Sequence, residues 1–337
     1  MILQGDKEKA EGIHYEVDPS TKPIGIGGMG RVYKGVWVNE KTREVKPVAI
    51  KFLFEDLPPH AVERARREAS IQLRNDQLVE MLGFIETYDE TGNGSVVKHY
   101  HVVSELLHGV CMTDFLNGVV TDNMGNVIPF AEEMQEMYTS NKLEFAKTII
   151  KSVLSGLMAL HDAGYIHRDI DPSNIMLTSD GHIKLIDFGI ARRFDSLSLD
   201  DSSTKENLVG KPKYAAPELL SGNLNQQNET TDLYAVGILL YQLLCGQLPF
   251  EGSMVDVIVM QKTKKIPVKN IQDEAMRQIV KKATEKKQSK RYQSASEFRV
   301  ALDNPIVKPT TSQFYILTIV GLAIIGIALG VLLGILL

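Results

Sequence analysis

The chain has 337 residues, 44% of them hydrophobic, with a formal net charge of -5. This composition excludes disorder as the default state and supplies core for one large two-lobed unit or two domains. With only Cys111 and Cys245, and no Cys or His cluster at metal-ligand spacing, a disulfide framework and a structural zinc site are excluded, and the globular part suits a reducing cytoplasm.

Residues 1–14 are polar and read as a frayed arm. Polar residues follow Met1-Ile2-Leu3 at once, so no secretory signal peptide is expected. Strand patterns then cover 15–18, 31–38 and 45–53. Between the first two lies Gly25-Ile26-Gly27-Gly28-Met29-Gly30, a G-x-G-x-x-G spacing. In dinucleotide-binding folds such glycines open a helix. Here Val32, Tyr33, Val36 and Trp37 follow, so a strand continues, and a flap whose backbone N–H groups approach phosphates is the better reading. A Walker loop is excluded, because Lys and Ser/Thr do not follow Gly30. Val48-Ala49-Ile50-Lys51 places one cation in an apolar strand, and the helix expected over 61–73 carries Glu68. Two further strands, 78–88 and 98–106, flank the polar turn 89–94. Residues 117–140 read as a surface insertion with an extra helical turn in 130–138. Apolar spacing from Leu143 to Leu160 predicts an amphipathic helix over 143–162.

The chain is organised around 167–189: His167-Arg168-Asp169-Ile170-Asp171-Pro172-Ser173-Asn174, an apolar strand, a turn at Ser179-Asp180-Gly181, a second strand, then Asp187-Phe188-Gly189. This hairpin would bring Asp169, Asn174 and Asp187 near one another. Three oxygen-bearing side chains at loop ends suit phosphoryl transfer: one carboxylate orients a hydroxyl and takes its proton, while another and an amide oxygen are hard ligands for Mg²⁺. Residues 190–214 are polar and Ser-rich and lead to Ala216-Pro217-Glu218. A helix over 233–245, capped by Thr230 or Thr231 and ended at Gly246, has almost no polar face and must be buried. From Gln261 to Lys308 there are 13 Lys or Arg against 5 Asp or Glu, which suits a solvated face or an anionic membrane surface. Phe314 to Leu337 is uncharged for 24 residues and reads as a transmembrane helix with the globular part cytoplasmic. Gly326, Gly330 and Gly334 line one face of it, a spacing that lets two such helices pair as a homodimer.

These motifs, in this order, resemble the eukaryotic-type (Hanks-type) Ser/Thr protein kinases, in particular membrane-anchored bacterial ones. The resemblance implies an α+β, bilobal protein-kinase fold, with an antiparallel-sheet N-lobe and hinge over 15–107 and a mainly helical C-lobe over 108–303. A linker over 304–313 and the transmembrane helix over 314–337 would follow. It implies ATP with Mg²⁺, or Mn²⁺ in its place, as cofactors. Asp169 would be the base, Asn174 and Asp187 the metal ligands, and Lys51 the phosphate contact held by Glu68. Gly25 to Gly30 would cover the phosphates. Backbone groups of Glu105 to Leu107 would bind the adenine edge, with Val32, Ala49 and Met176 on its faces. Phe188 would set active or inactive states. Ser196, Ser198, Ser202, Ser203 and Thr204 would be candidate phosphoacceptors in the activation segment. Asp232 would tie back to the catalytic loop, and Arg291 would pair with Glu218. The Ala-Pro-Glu segment and Arg291, which build a peptide platform in the family, disfavour a small-molecule phosphotransferase.

Two positions depart from the family pattern. Asp171 stands where a Lys is usual, and Lys211 stands in Gly210-Lys211-Pro212-Lys213-Tyr214 where a Thr is usual. The two departures are expected to compensate, with the Lys211 ammonium pairing with Asp171 or Asp169. The expected activity is a membrane-anchored, autophosphorylating Ser/Thr protein kinase acting on protein substrates, with no nucleic-acid partner. A weakly active or inactive pseudokinase scaffold at the membrane is the alternative that Asp171 favours.

Overall fold

A computed structural model of the chain describes residues 1–90, 96–187, 192–193, 211–222 and 224–305. Phe188, the five candidate phosphoacceptors, and the apolar run 314–337 with Gly326, Gly330 and Gly334 lie outside the described residues. Among the described residues, no helix is long and apolar enough to cross a membrane.

The first lobe comprises β1 (Ile2–Leu3), α1 (Asp6–Glu11), β2 (Ile13–Val17), β3 (Gly25–Gly27), β4 (Gly30–Asn39), β5 (Val45–Leu53), α2 (Pro59–Ala69), β6 (Met81–Glu90) and β7 (Val96–Glu105). Its antiparallel sheet has the order β1-β2-β4-β5-β7-β6, with β3 folded onto β4. Period-two alternation along β5 puts Val48 and Ile50 on one face, packed with Tyr33, Ile85 and Val103. Ala49 and Lys51 take the other face.

Residues 1–14 are not a frayed arm. Ile2 and Leu3 pair with Glu16 and Tyr15, and Leu3 is fully buried in the cluster of Tyr15, Ile50 and Ile85. The Glu8 carboxylate reaches back to accept the Gly5 N–H at 3.1 Å, and Gly12 closes α1 in the left-handed region (φ 73°). Two apolar residues suffice here because an existing sheet edge supplies their partners. Elsewhere in this lobe α2 ends at Ala69 rather than 73, where the Ser70 N–H folds back on the Arg66 and Arg67 carbonyls, and the strand expected over 78–88 is β6, Met81–Glu90.

The second lobe comprises β8 (Gly109–Cys111), α3 (Met112–Leu116), α4 (Pro129–Ser140), α5 (Lys142–Asp162), β9 (Tyr165–Ile166), β10 (Ile175–Thr178), β11 (Ile183–Leu185), β12 (Arg192–Arg193), α6 (Pro217–Leu220), α7 (Glu229–Cys245), α8 (Met254–Thr263), α9 (Glu274–Ala283) and α10 (Ala295–Asp303). Helix α7 lies between α5 and α9 and is buried over almost its whole length. Its N-cap is Asn228, not Thr230 or Thr231. The Asn228 side chain accepts the Thr230 N–H at 3.0 Å, while Thr231 Oγ1 accepts the Asn228 N–H at 3.2 Å. Gly246 ends the helix in the left-handed region.

The insertion adds more than a surface turn. Helix α4 runs 12 residues from Pro129 at its first position, burying Ala131 and Met134. Tyr138 packs on Phe145 and Phe115, with ring centroids 4.9 and 6.4 Å away. The polar residues of this stretch are those on the outer face of α4, so composition alone hid the buried stripe. Arg291 is fully buried and grips Glu218 with two nitrogens, at 2.7 and 2.9 Å. Removing either partner would leave an uncompensated buried charge, a loss of about 3 to 5 kcal/mol.

Burial of Leu3 gives a direct test of the ordered N-terminus. Leu3→Ala should cost about 2 to 5 kcal/mol of stability in denaturant titration. A frayed arm would tolerate the change without effect.

Candidate active site

The loop between β9 and β10 is held from below by one carboxylate. Asp232, in the first turn of α7, accepts the backbone N–H of His167 at 2.8 Å and of Arg168 at 2.7 Å, and contacts His161 Nε2 at 2.8 Å. Arg168 sits at φ 72°, an unfavourable region for a residue with a Cβ, and the two hydrogen bonds on Asp232 hold it there. The loop is thereby turned so that Asp169 follows directly.

Asp169 is partnered by Asn174, whose Nδ2 donates to Asp169 Oδ2 at 3.0 Å and to its carbonyl oxygen at 2.8 Å. With its N–H groups so engaged, Asn174 presents its amide oxygen elsewhere. Asn174 lies in a short 3₁₀ turn, Pro172–Asn174, capped by Asp171, which accepts the Ser173 N–H and hydroxyl, each at 2.6 Å. The Asn174 carbonyl accepts the Ile186 N–H at 3.0 Å, which ties this turn to the strand end that carries Asp187.

Across the cleft, Lys51 on β5 brings its Nζ to 3.7 Å from the Asp187 carboxylate. Burial pulls the Lys51 ammonium down, but the negative charges of Asp187 and Glu68 outweigh it and hold the pKa above the ordinary lysine value. Glu68 is itself buried on α2. That helix is fixed to the sheet by Arg66, which pairs with Glu86 at 2.6 Å and lies 4.5 Å over the Phe84 ring.

The glycine-rich turn joins β3 and β4, with Gly25 opposite Val32 and Gly27 opposite Gly30. A Cβ on Gly30 would sit 2.1 Å from the Phe52 carbonyl, so only glycine fits there, whereas Gly27 and Gly28 border open space. Ile26, paired with Arg31, is exposed on β3, and Met29 packs back onto the core while its carbonyl accepts the Phe54 N–H. Val32 on β4, Ala49 on β5, Met176 on β10 and Leu107 after β7 come from four separate stretches.

Lys211 Nζ lies 2.9 Å from Asp171 Oδ1 and 2.8 Å from Oδ2, and also donates to the Ser173 hydroxyl. Its partner is thus Asp171 rather than Asp169. Burial, followed by the charge of Asp171, pushes the Asp169 carboxyl up; His167, Asn174 and Lys211 pull in the opposite direction without cancelling the rise.

Two participants escaped the sequence reading. Ser173 bridges Asp171 and Lys211, but a serine in a polar loop carries no distinguishing signal. Lys184, on β11, is buried and pairs with the Glu105 carboxylate at 2.6 Å, while Glu105 also accepts the Glu80 N–H at 2.8 Å. Lys184 lies within an apolar strand, and its partner Glu105 is 79 residues away, so no local pattern joins them. Among the described residues, no cluster of three or more His, Cys, Asp or Glu could hold a metal. Oxygen donors that could hold a hard divalent cation here are the Asp187 carboxylate and the Asn174 amide oxygen.

Comparison with known proteins agrees with this geometry. The family described as "Protein kinase domain" matches residues 19–301. A probable serine/threonine-protein kinase PknB of Lactococcus lactis is 29% identical over 82% of this chain and 40% of its own length. The serine/threonine-protein kinase pkn2 of Myxococcus xanthus is 30% identical over 83% of this chain and 31% of its own. A probable serine/threonine-protein kinase of Streptomyces coelicolor is 31% identical over 87% of this chain and 40% of its own. The chain therefore spans well under half the length of these relatives.

Asp232 also makes a prediction about pH. Burial alone would raise its carboxyl, but the bond and charge of His161, the charge of His167 and the Arg168 N–H hold it below the ordinary aspartate value. Its contribution is complete above the ordinary aspartate pKa and is lost as pH falls through the lowered folded value. Asp232→Asn should therefore cost about 1 to 3 kcal/mol near neutrality, from orphaned donors. The gap to the parent should narrow in acid, as read by denaturant titration at several pH values.

Proposed function

Because the chain belongs to the protein kinase family, we propose that it is an ATP-dependent serine/threonine protein kinase, anchored in a membrane and autophosphorylating in residues 190–214. The observation that carries this reading is the joint arrangement of Asp169 bonded to Asn174 at 3.0 Å and Lys51 drawn to Asp187 at 3.7 Å. Such a set can hold a terminal phosphate between one cation and two metal-binding oxygens, with a base aimed at the incoming hydroxyl.

In this reading Asp169 accepts the proton of a Ser or Thr hydroxyl as its oxygen attacks the γ-phosphorus and ADP leaves. Asn174 and Asp187 would hold Mg²⁺, or Mn²⁺, which when bound neutralises charge on the phosphates. Lys51 contacts the α and β phosphates, with Glu68 keeping it charged. The backbone of Gly25, Ile26, Gly27, Gly28, Met29 and Gly30 covers the phosphates. Adenine lies against Val32, Ala49 and Met176 and bonds to the backbone of Glu105 to Leu107. Lys211 supplies the ammonium that the missing Lys at 171 would have given, and its contact with Asp171 supports that compensation. The uncharged run 314–337 is long enough to span a bilayer core, and the basic stretch before it suits a cytoplasmic, anionic surface. Pairing through Gly326, Gly330 and Gly334 would make a homodimer.

Asp171 supports a second reading, a pseudokinase scaffold at the membrane. It puts a further carboxylate beside the base and raises the pKa that the base must overcome.

Incubation with Mg-ATP followed by mass spectrometry decides between the two. The enzyme reading expects phosphate on Ser or Thr within 190–214, abolished by Asp169→Asn. Absence of any transferred phosphate from folded parent protein would leave the scaffold.

The charge pattern sets the acid limb of the pH–rate profile. Asp169 works only when ionised, so a raised pKa places the loss of activity at a higher pH than for an ordinary aspartate. Asp171→Asn removes a like charge and should move that limb to lower pH. Lys211→Met removes a compensating cation and should move it to higher pH.

A further inference from the structure

The segment that bears Lys211 is gripped from the far side by helix α8. Gln261, in the last turn of that helix, is fully buried, an unusual place for a side chain with four hydrogen-bonding sites. Its Nε2 donates to the Lys213 carbonyl at 2.6 Å, and its Oε1 accepts the Tyr234 hydroxyl at 2.6 Å. Tyr234, fully buried on α7, accepts in turn from Lys286 Nζ at 2.7 Å, and Lys286 also donates to the Gln261 carbonyl at 2.6 Å.

The direction of this chain follows from donor chemistry. Burial and the Arg291 charge push the Lys286 pKa down to about 8, so near neutral pH it is mainly an ammonium that can only donate; the Tyr234 oxygen then accepts from it and turns its own proton to Gln261. The glutamine oxygen is thereby assigned to Tyr234 and its N–H₂ to Lys213. A second glutamine, Gln242 on α7, takes the Tyr214 hydroxyl at 2.6 Å. Residues 213 and 214 are thus held to two helices, to α8 through Gln261 and to the buried α7 through Gln242.

That grip matters because Lys211 cannot hold itself in place. Its side chain is 52% exposed, and a half-solvated lysine gains little from pairing while losing rotamer freedom. Whether its ammonium stays on Asp171 depends on where the backbone of 211–214 lies, and the Tyr214 N–H bonded to the Lys211 carbonyl transmits that placement.

We infer that Gln261 is a positioning residue for phosphoryl transfer: directed by Lys286 and Tyr234, it holds the Lys213 carbonyl so that Lys211 stays on Asp171 beside the base. The inference rests on the kinase reading for its effect on rate, but its structural half stands apart from activity.

Gln261→Glu, made in the full chain, is the test. The carboxylate still accepts from Tyr234 and faces the Lys286 cation, but it cannot donate to Lys213. The acceptor is a synthetic peptide of residues 194–206. Peptide kcat/KM should fall about tenfold, the size expected for one buried hydrogen bond, with KM for ATP unchanged. Adding Lys211→Met should cause little further loss. Amide hydrogen exchange over 211–216 should quicken about tenfold while α5 stays protected. Unchanged exchange over 211–216 overturns the inference, as do losses from the two substitutions that simply multiply. If the parent chain transfers no phosphate, the enzyme reading falls and the exchange measurement alone decides this one. If Gln261→Glu does not fold, Tyr234→Phe, which removes the group directing the amide, must quicken the same amides or the inference fails.

Discussion

One buried carboxylate holds the reactive loop in register. Asp232 has no solvent contact to offset its desolvation, so it depends on the two backbone N–H groups and the imidazole that face it. The reverse dependence is as strong, since those N–H groups belong to a loop with a strained Arg168 that would relax without an acceptor. Because Asp232 lies in the first turn of α7, the most deeply buried helix, the position of the loop is inherited from the packing of the whole lobe. The site is therefore as rigid as the core beneath it, while the glycine turn above it borders open space.

The electrostatics of the cleft follow from the same economy of charge. Lys51 is kept cationic by two acids, one from the hairpin and one from α2, so it registers whether both elements are in place. On the opposite side the balance is tighter. Asp171 would place an unpaired carboxylate beside Asp169, but Ser173 donates to its Oδ1 and the Lys211 ammonium lies within 2.9 Å of both its oxygens. The family pattern carries a lysine from the loop itself; here the cation arrives from a segment 40 residues further along. Such a cation is conditional, because the segment must be in position before the charge is.

Much of this was legible beforehand. The hairpin around Gly181, the register of Asp169 against Asn174, the strand bearing Lys51, and the buried post ended at Gly246 all follow from local periodicity and turn chemistry. The misses share a cause. Ile2 and Leu3 are too few to signal a strand, and Met134 and Ala131 are too sparse to signal a buried face. In each case the partner surface, the edge of β2 or the flank of α5, is remote in sequence. Asn228 rather than a threonine caps α7 because both candidates are already helical, which only backbone geometry reveals.

The order and spacing of motifs, which are properties of the chain itself, pointed to the fold family and to the candidate site residues, because loop and strand chemistry is written in adjacent residues. Tertiary structure decided which groups meet: that Lys211 takes Asp171 rather than Asp169, that Lys184 pairs with Glu105, and that Gln261 reaches Lys213. Those contacts join residues 40, 79 and 48 positions apart, and no local pattern encodes an encounter that depends on how two separately formed elements pack.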